Sequence, residues 1–180
     1  MAHDAPAEDA PVVRPRLRGD IPAAAAGLVA VHESDGYPVE GVSEPEAWLT
    51  PPGMVNAWVA EIGGTVVGHV AVSRPDGEEA VSRWLDRSGV STEGGVGVLA
   101  RLFVVPAARS KGVGEDLVRA AVADARSRGM RLVLDVLTKD TAAIRLYTRL
   151  GWTGLGTAVH TFAEGRQAAE ALCFVSPPAG

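Results

Sequence analysis

The chain has 180 residues, 47% of them hydrophobic, and a formal net charge of -5. This supplies one substantial core, and the acidic balance with no clustered basic face argues against general nucleic-acid binding. No apolar stretch approaches the roughly 20 residues of a membrane span, and a single cysteine, Cys173, excludes an internal disulfide framework.

One domain is expected over residues 12–176, with a disordered Ala/Pro/acidic leader at 1–11 and a short tail at 177–180. The leader lacks the basic and apolar regions of a signal peptide. With cysteine usage that suits a reducing compartment, a cytoplasmic location is expected. Cys173 sits in an apolar run and reads as a small buried hydrophobe.

In chain order, residues 12–17 read as a first strand. Asp20 stands at a helix-cap position and Pro22 near the first turn, predicting an Ala-rich helix to about residue 31. Residues 32–50 read as a loop with a short helix at 44–49. Gly63-Gly64 between two strand-like runs, 56–62 and 65–73, is a hairpin signal. A short helix at 78–87, a flexible connector at 88–97 and a strand at 98–105 follow.

A helix at 115–128 has Leu117, Val118, Ala121, Val122 and Ala125 on its apolar face and Gly129 at its end. Residues 131–137 form a nearly unbroken apolar run, as in a central strand covered on both faces. A helix at 141–150 and a closing hairpin of 153–159 with 168–175 complete the pattern. Successive elements are expected to adjoin.

Two segments carry chemistry. Arg109-Ser110-Lys111-Gly112-Val113-Gly114 lies between an apolar strand and an amphipathic helix. The unpaired amides of a first helical turn attract anions, and the two glycines let backbone approach a diphosphate. Arg109 and Lys111 add positive charge at the rim. A Walker A loop is excluded because no Gly-x-x-x-x-Gly-Lys-Ser/Thr run occurs, and Leu117 replaces the third glycine of a dinucleotide fingerprint. The second segment runs from Asp140 through Ala143 to Tyr147, with Gly151-Trp152 just beyond.

In order and separation the two segments resemble the GCN5-related N-acetyltransferase (GNAT) superfamily. Arg109, Gly112 and Gly114 match its Arg/Gln-x-x-Gly-x-Gly/Ala motif. Asp140, Ala143, Tyr147, Gly151 and Trp152 match its Asn-x-x-Ala-x-x-x-Tyr motif and the Gly-aromatic pair after it. The resemblance implies an α/β fold with a mixed, mostly antiparallel central sheet of about six to seven strands. Helices would lie on both faces, and a central parallel strand pair would splay apart.

It further implies acetyl-coenzyme A as acyl-donor cosubstrate. The backbone of Phe103, Val104 and Val105 would hold the pantetheine arm as a pseudo-strand. Amides of Ser110, Lys111, Gly112, Val113 and Gly114 would hold the diphosphate, with Arg109, Asp140 and Ala143 alongside. Tyr147 would protonate the departing thiolate, and a strand amide near Val105 would stabilise the oxyanion.

Two departures stand out. Asp140 replaces Asn, so when ionised it cannot donate an amide hydrogen, although its helix-capping role survives. Val98 occupies the position where many relatives carry a Glu base. His69, Glu93, His32 and Glu33 are alternative bases, and a weakly basic amine needs none. Acceptor contacts are assigned to His32, Tyr37 and His69. The acidic, aromatic stretch around Tyr37 and residues 40–46 reads either as a wall for a cationic amine or as a solvated loop. Trp48 and Trp58 read as core or pocket wall, and Trp84 as a lid or a cover for the sheet.

The expected activity is direct acetyl transfer to a primary amine of a small molecule, without metal or covalent enzyme intermediate. The alternatives are acetylation of a protein N-terminus or lysine, and a non-catalytic acyl-coenzyme A-binding sensor module. The partner expected is a small-molecule amine, with neither nucleic acid nor membrane, and the chain would act as a monomer or homodimer.

Overall fold

Seven strands form one mixed sheet in the order β1-β2-β3-β4-β5-β7-β6 in the computed structural model, which describes residues 10–90, 95–162 and 165–179. They are β1 (Val12–Pro15), β2 (Met54–Ile62), β3 (Thr65–Ser73), β4 (Val96–Val104), β5 (Arg131–Leu137), β6 (Thr153–Phe162) and β7 (Gln167–Val175). Neighbours are antiparallel except β4 and β5, which run parallel. The helices are α1 (Ile21–Asp35), α2 (Pro45–Trp48), α3 (Glu79–Ser88), α4 (Val113–Ser127) and α5 (Thr141–Arg149). The mixed α/β architecture is the one the motifs implied.

The alternation of side chains along a strand sorts the helices between the two faces. Leu99, Leu132 and Leu134 face α4 and α5, packing with Leu117, Val118, Ala121 and Tyr147. Their neighbours Val98 and Val133 face the other way, onto Ala80 and Val81 of α3. On β3, Val70 belongs to the α4 face while His69 stacks on Phe103, which α1 covers through Ala24 and Leu28. Leu28, Leu117 and Leu132 are wholly buried, each contributing about 1.5–3 kcal/mol relative to exposure.

Gly68 sets how closely α4 approaches. A Cβ there would lie 3.0 Å from both Leu117 Cδ1 and Val113 Cγ1, so the first turn of α4 rests on bare β3 backbone. The start of that helix is therefore fixed against the sheet beside β4.

Several expectations are revised. The helix α1 runs on to Asp35, where Gly36 at φ 71 closes it with an N–H to His32 O. Asp20 precedes that helix without capping it; its carboxylate accepts from Leu17 N–H and from Arg14, whose hydrogen bonds hold its pKa down at about 2. Val96 and Gly97, expected in a connector, begin β4. The closing hairpin does not extend the sheet in sequence order, because β7 inserts between β5 and β6. Of the expected leader only Ala10 and Pro11 are described, and residues 91–94 of the expected connector also lie outside the described residues.

Candidate functional site

The parallel pair β4–β5 separates part-way along its length. It is paired at Val96–Arg131, Gly97–Leu132 and Val98–Val133, and no further. Beyond these, residues 99–104 and 134–137 line a cavity of about 800 Å³. On its other edge β4 carries a β-bulge, where Arg101 and Leu102 together stand opposite the single residue Val70. An extra residue bends and twists the strand that carries it. Arg101 takes up the irregularity at φ 58.

The cavity is closed at one end by residues 109–114. Ser110 and Gly112 both have positive φ, at 64 and 77, so consecutive amides turn inward rather than along a strand. Among the described residues, the N–H groups of Ser110, Lys111, Gly112, Val113, Gly114 and Glu115 meet no acceptor. The first amide of this helix to find one is that of Asp116, which donates to Gly112 O at 3.0 Å. Such a turn is built to receive an anion. Arg109, Ser110, Gly112, Val113 and Gly114 line the cavity, whereas Lys111 is exposed and does not.

Arg109 is ion-paired at the rim. Its guanidinium is engaged with the Asp35 carboxylate and its Nε donates to Val104 O at 3.3 Å. The Arg109 partner holds the Asp35 pKa below its usual range. The last turn of α1 is thereby tied to the anion loop.

Along β4, Phe103 and Val104 line the cavity and Val105 does not. The Val105 amide donates to Val67 O at 2.9 Å and is unavailable to any ligand. Because bonding directions alternate along a strand, the Val104 amide is left on the edge facing the gap.

Tyr147 lies across the gap on α5. Its ring is packed against Trp152 and Phe174, at 5.3 and 6.1 Å between centroids, and the residue is 4% exposed. It also lines the cavity, and its hydroxyl has no hydrogen-bond partner among the described residues. Burial pushes its pKa well above the ordinary phenol range, with Tyr37 and Asp140 adding to the shift. Asp140 and Ala143 complete this wall. Asp140 sits at the N-cap of α5 but makes no side-chain cap bond. Burial, with Asp35 nearby, raises its pKa.

The third wall comes from the segment after α1. Tyr37, Glu40 and Trp48 line the cavity. Tyr37 meets Trp48 edge to face at 5.9 Å, and the Trp48 indole N–H donates to Glu40 at 2.8 Å. Trp58 belongs to the core, and Trp84 packs under Arg131 and covers the sheet.

His32, Glu33 and His69 are not brought to the cavity lining. His69 is wholly buried, with Nδ1 at 2.9 Å from Arg101 O and Nε2 at 2.9 Å from the Arg16 guanidinium. Arginine can only donate, so Nε2 accepts and Nδ1–H donates, and neither nitrogen is free to take a proton. Burial holds its pKa down at about 4. Val98 faces α3, and Glu93 lies outside the described residues.

Reading by motif missed Arg101, Asp35 as partner of Arg109, and the β5 wall. Arg101 had a local signal, since it is the one charge in an otherwise apolar strand. The other two are products of tertiary pairing. Among the described residues, no helix is long and apolar enough to cross a membrane and no cluster of three or more His, Cys, Asp and Glu is placed to hold a metal ion.

Comparison with known proteins identifies the family and the fold. The family model described as Acetyltransferase (GNAT) family matches residues 26–152. A mycothiol acetyltransferase of Thermobispora bispora is 33% identical over 114 residues, which is 61% of this chain. The chain spans about one third (33%) of that relative's length. Among solved structures, a ribosomal-protein-alanine N-acetyltransferase of Brucella melitensis superposes with a TM-score of 0.69 at 22% identity, over 93% of this chain and 99% of that one. A Salmonella typhimurium protein solved with its cofactor acetyl-coenzyme A gives 0.65 at 17% identity, over 93% of each chain. At these identities the solved structures share the fold.

Proposed function

This chain belongs to the acetyltransferase (GNAT) family, and we propose that it transfers an acetyl group from acetyl-coenzyme A directly to the primary amine of a small molecule. One observation carries the reading: a single cavity joins acceptor-free amides at the start of α4, an unpaired β4 edge and the Tyr147 hydroxyl. These residues fit a coenzyme A donor, because the loop offers a run of unpaired amide donors where a diphosphate needs them.

When bound, acetyl-coenzyme A supplies an activated acetyl thioester. On this reading the amides of residues 110–114 hold its diphosphate, and Val104 offers its backbone amide to the pantetheine arm, while Phe103, paired with His69 on β3, lines the cavity beside it. The Val105 amide takes no part, being bonded to Val67. Arg109 turns from Asp35 toward the phosphates, while Asp140 and Ala143 border the arm. The Tyr147 hydroxyl holds the proton that the departing thiolate requires, and burial keeps that phenol protonated at working pH. Val98 faces α3 where many relatives carry Glu, so on this reading the amine arrives neutral or loses its proton to water or to a titratable group of the lining such as Asp135 or His160.

Thiol release from acetyl-coenzyme A across polyamines, aminoglycosides, amino acids, arylamines and short peptides tests the reading, with Tyr147→Phe run in parallel. The variant should lose about 100-fold or more in kcat, within the usual range for a positioned acid, with donor affinity kept. Equal turnover in both proteins sinks the assignment of Tyr147. A response confined to peptides moves the acceptor to a protein terminus, and donor binding without turnover on any amine identifies a binding module.

A further inference from the structure

The cation in β4 is displayed rather than merely tolerated. Arg101 is the inner residue of the bulge opposite Val70, with a positive φ that side chains rarely adopt. Its carbonyl is pinned by His69, and His69 is held in turn by Arg16. The guanidinium lies 4.7 Å from the Trp48 ring centroid and lines the cavity. Among the described residues it makes no ion pair and no hydrogen bond. Arg101 is not fully exposed either, and burial lowers its pKa, opposed by Tyr37 and Glu40.

An arginine carries five donors in a planar fork and remains charged in proteins. The Arg101 nitrogens remain open to the cavity, where water meets them until a ligand able to accept from the whole fork takes its place. Arg101 stands on β4 three residues before Val104, about 10 Å back along the strand from that residue. This separates it from the loop assigned to the diphosphate. Glu40, the carboxylate on the same wall, is already bonded to the Trp48 indole.

We propose that Arg101 binds a carboxylate of the acceptor, so that the substrate class is small amines bearing a carboxylate, such as free amino acids. This rests on the acetyltransferase reading of the same cavity. Arg101 grips the carboxylate bidentately while the indole of Trp48 backs the fork. The amine is thereby set at a fixed distance from its own carboxylate, toward Tyr147 and the β4 edge.

The test compares each amino acid with its carboxamide as acceptor, in the wild type, Arg101→Gln and Arg101→Lys. In the wild type kcat/KM should favour the free acid by about 10- to 100-fold, the range for a charge-assisted pair. Arg101→Gln should lower that ratio by about the same factor, chiefly by raising KM for the acid. Arg101→Lys should restore part of the preference, having the charge without the fork. A wild type that uses acid and amide alike overturns the proposal, as does an Arg101→Gln variant that slows both equally. Calorimetric binding of the acid and the amide to the same proteins reads the pair without turnover. Loss of thiol release on every amine, with the binding preference intact, fails the transferase reading and leaves the Arg101 assignment standing.

Discussion

His69 shows how much of the cavity wall depends on a residue that does not line it. Its two ring nitrogens tie β3 to the bulge carbonyl of Arg101 and to Arg16 after β1, and it stacks on Phe103. The depressed pKa fixes the sign of a pH effect. Between about 4 and 6.5 the unfolded chain binds a proton at this residue and the folded chain does not. Stability is therefore full above pH 6.5 and falls as the pH drops through that window. From a folded pKa of about 4, the loss attributable to His69 amounts to roughly 3 kcal/mol. Urea unfolding from neutral pH to pH 4 should show the wild type losing about that much more than His69→Gln. Parallel losses in the two proteins would contradict the assignment. From the sequence His69 read as a possible base, because a histidine in an apolar strand announces itself while the carbonyl and guanidinium that occupy it come from distant segments.

At the scale of elements, the anion loop and α4 were legible because their signals are local: strand end, glycines, amphipathic period. Gly112 makes this testable. It occupies φ 77, and nothing lies within 4 Å of a Cβ built there. The requirement is conformational rather than steric. Gly112→Val should cost about 1–2 kcal/mol in that backbone region and weaken coenzyme A binding at least tenfold, since the amides would turn away. Gly112→Asn, a residue that visits this region readily, should keep most of the affinity in the same titration. Identical binding by all three proteins would show that the diphosphate sits elsewhere. The extent of α1 was less legible, because His32-Glu33-Ser34-Asp35 has no apolar period of its own. Its length matters, since it is what carries Asp35 to Arg109.

For the whole molecule, strand content and helix placement followed from periodicity, whereas the position of β7 did not. The pairing of Val133 with Val175 and Leu137 with Ala171 is a long-range match between two apolar runs. Neither run records which neighbour it will choose. The gap between β4 and β5 is likewise a property of the assembled sheet. It leaves strand edges and loop amides without partners, so a ligand that fills them binds the folded state alone. At a coenzyme A concentration 100 times its dissociation constant, stability should rise by about 2.7 kcal/mol, or about 5–10 °C in melting temperature for a chain this size. Scanning calorimetry with and without coenzyme A measures it, and an unchanged melting temperature would rule the gap out as the donor site.

That same break in the sheet sets two selective pressures against each other. Hydrogen bonds that β4 and β5 forgo beyond Val98 and Val133 are ones that a better-zipped variant would make. Straightening the bulge at Arg101 would restore regular backbone, fill the opening and raise the melting point. A search for thermal stability alone is therefore drawn toward variants that fold better and do nothing. On the proposed reading the capacity to act resides in an unfinished seam.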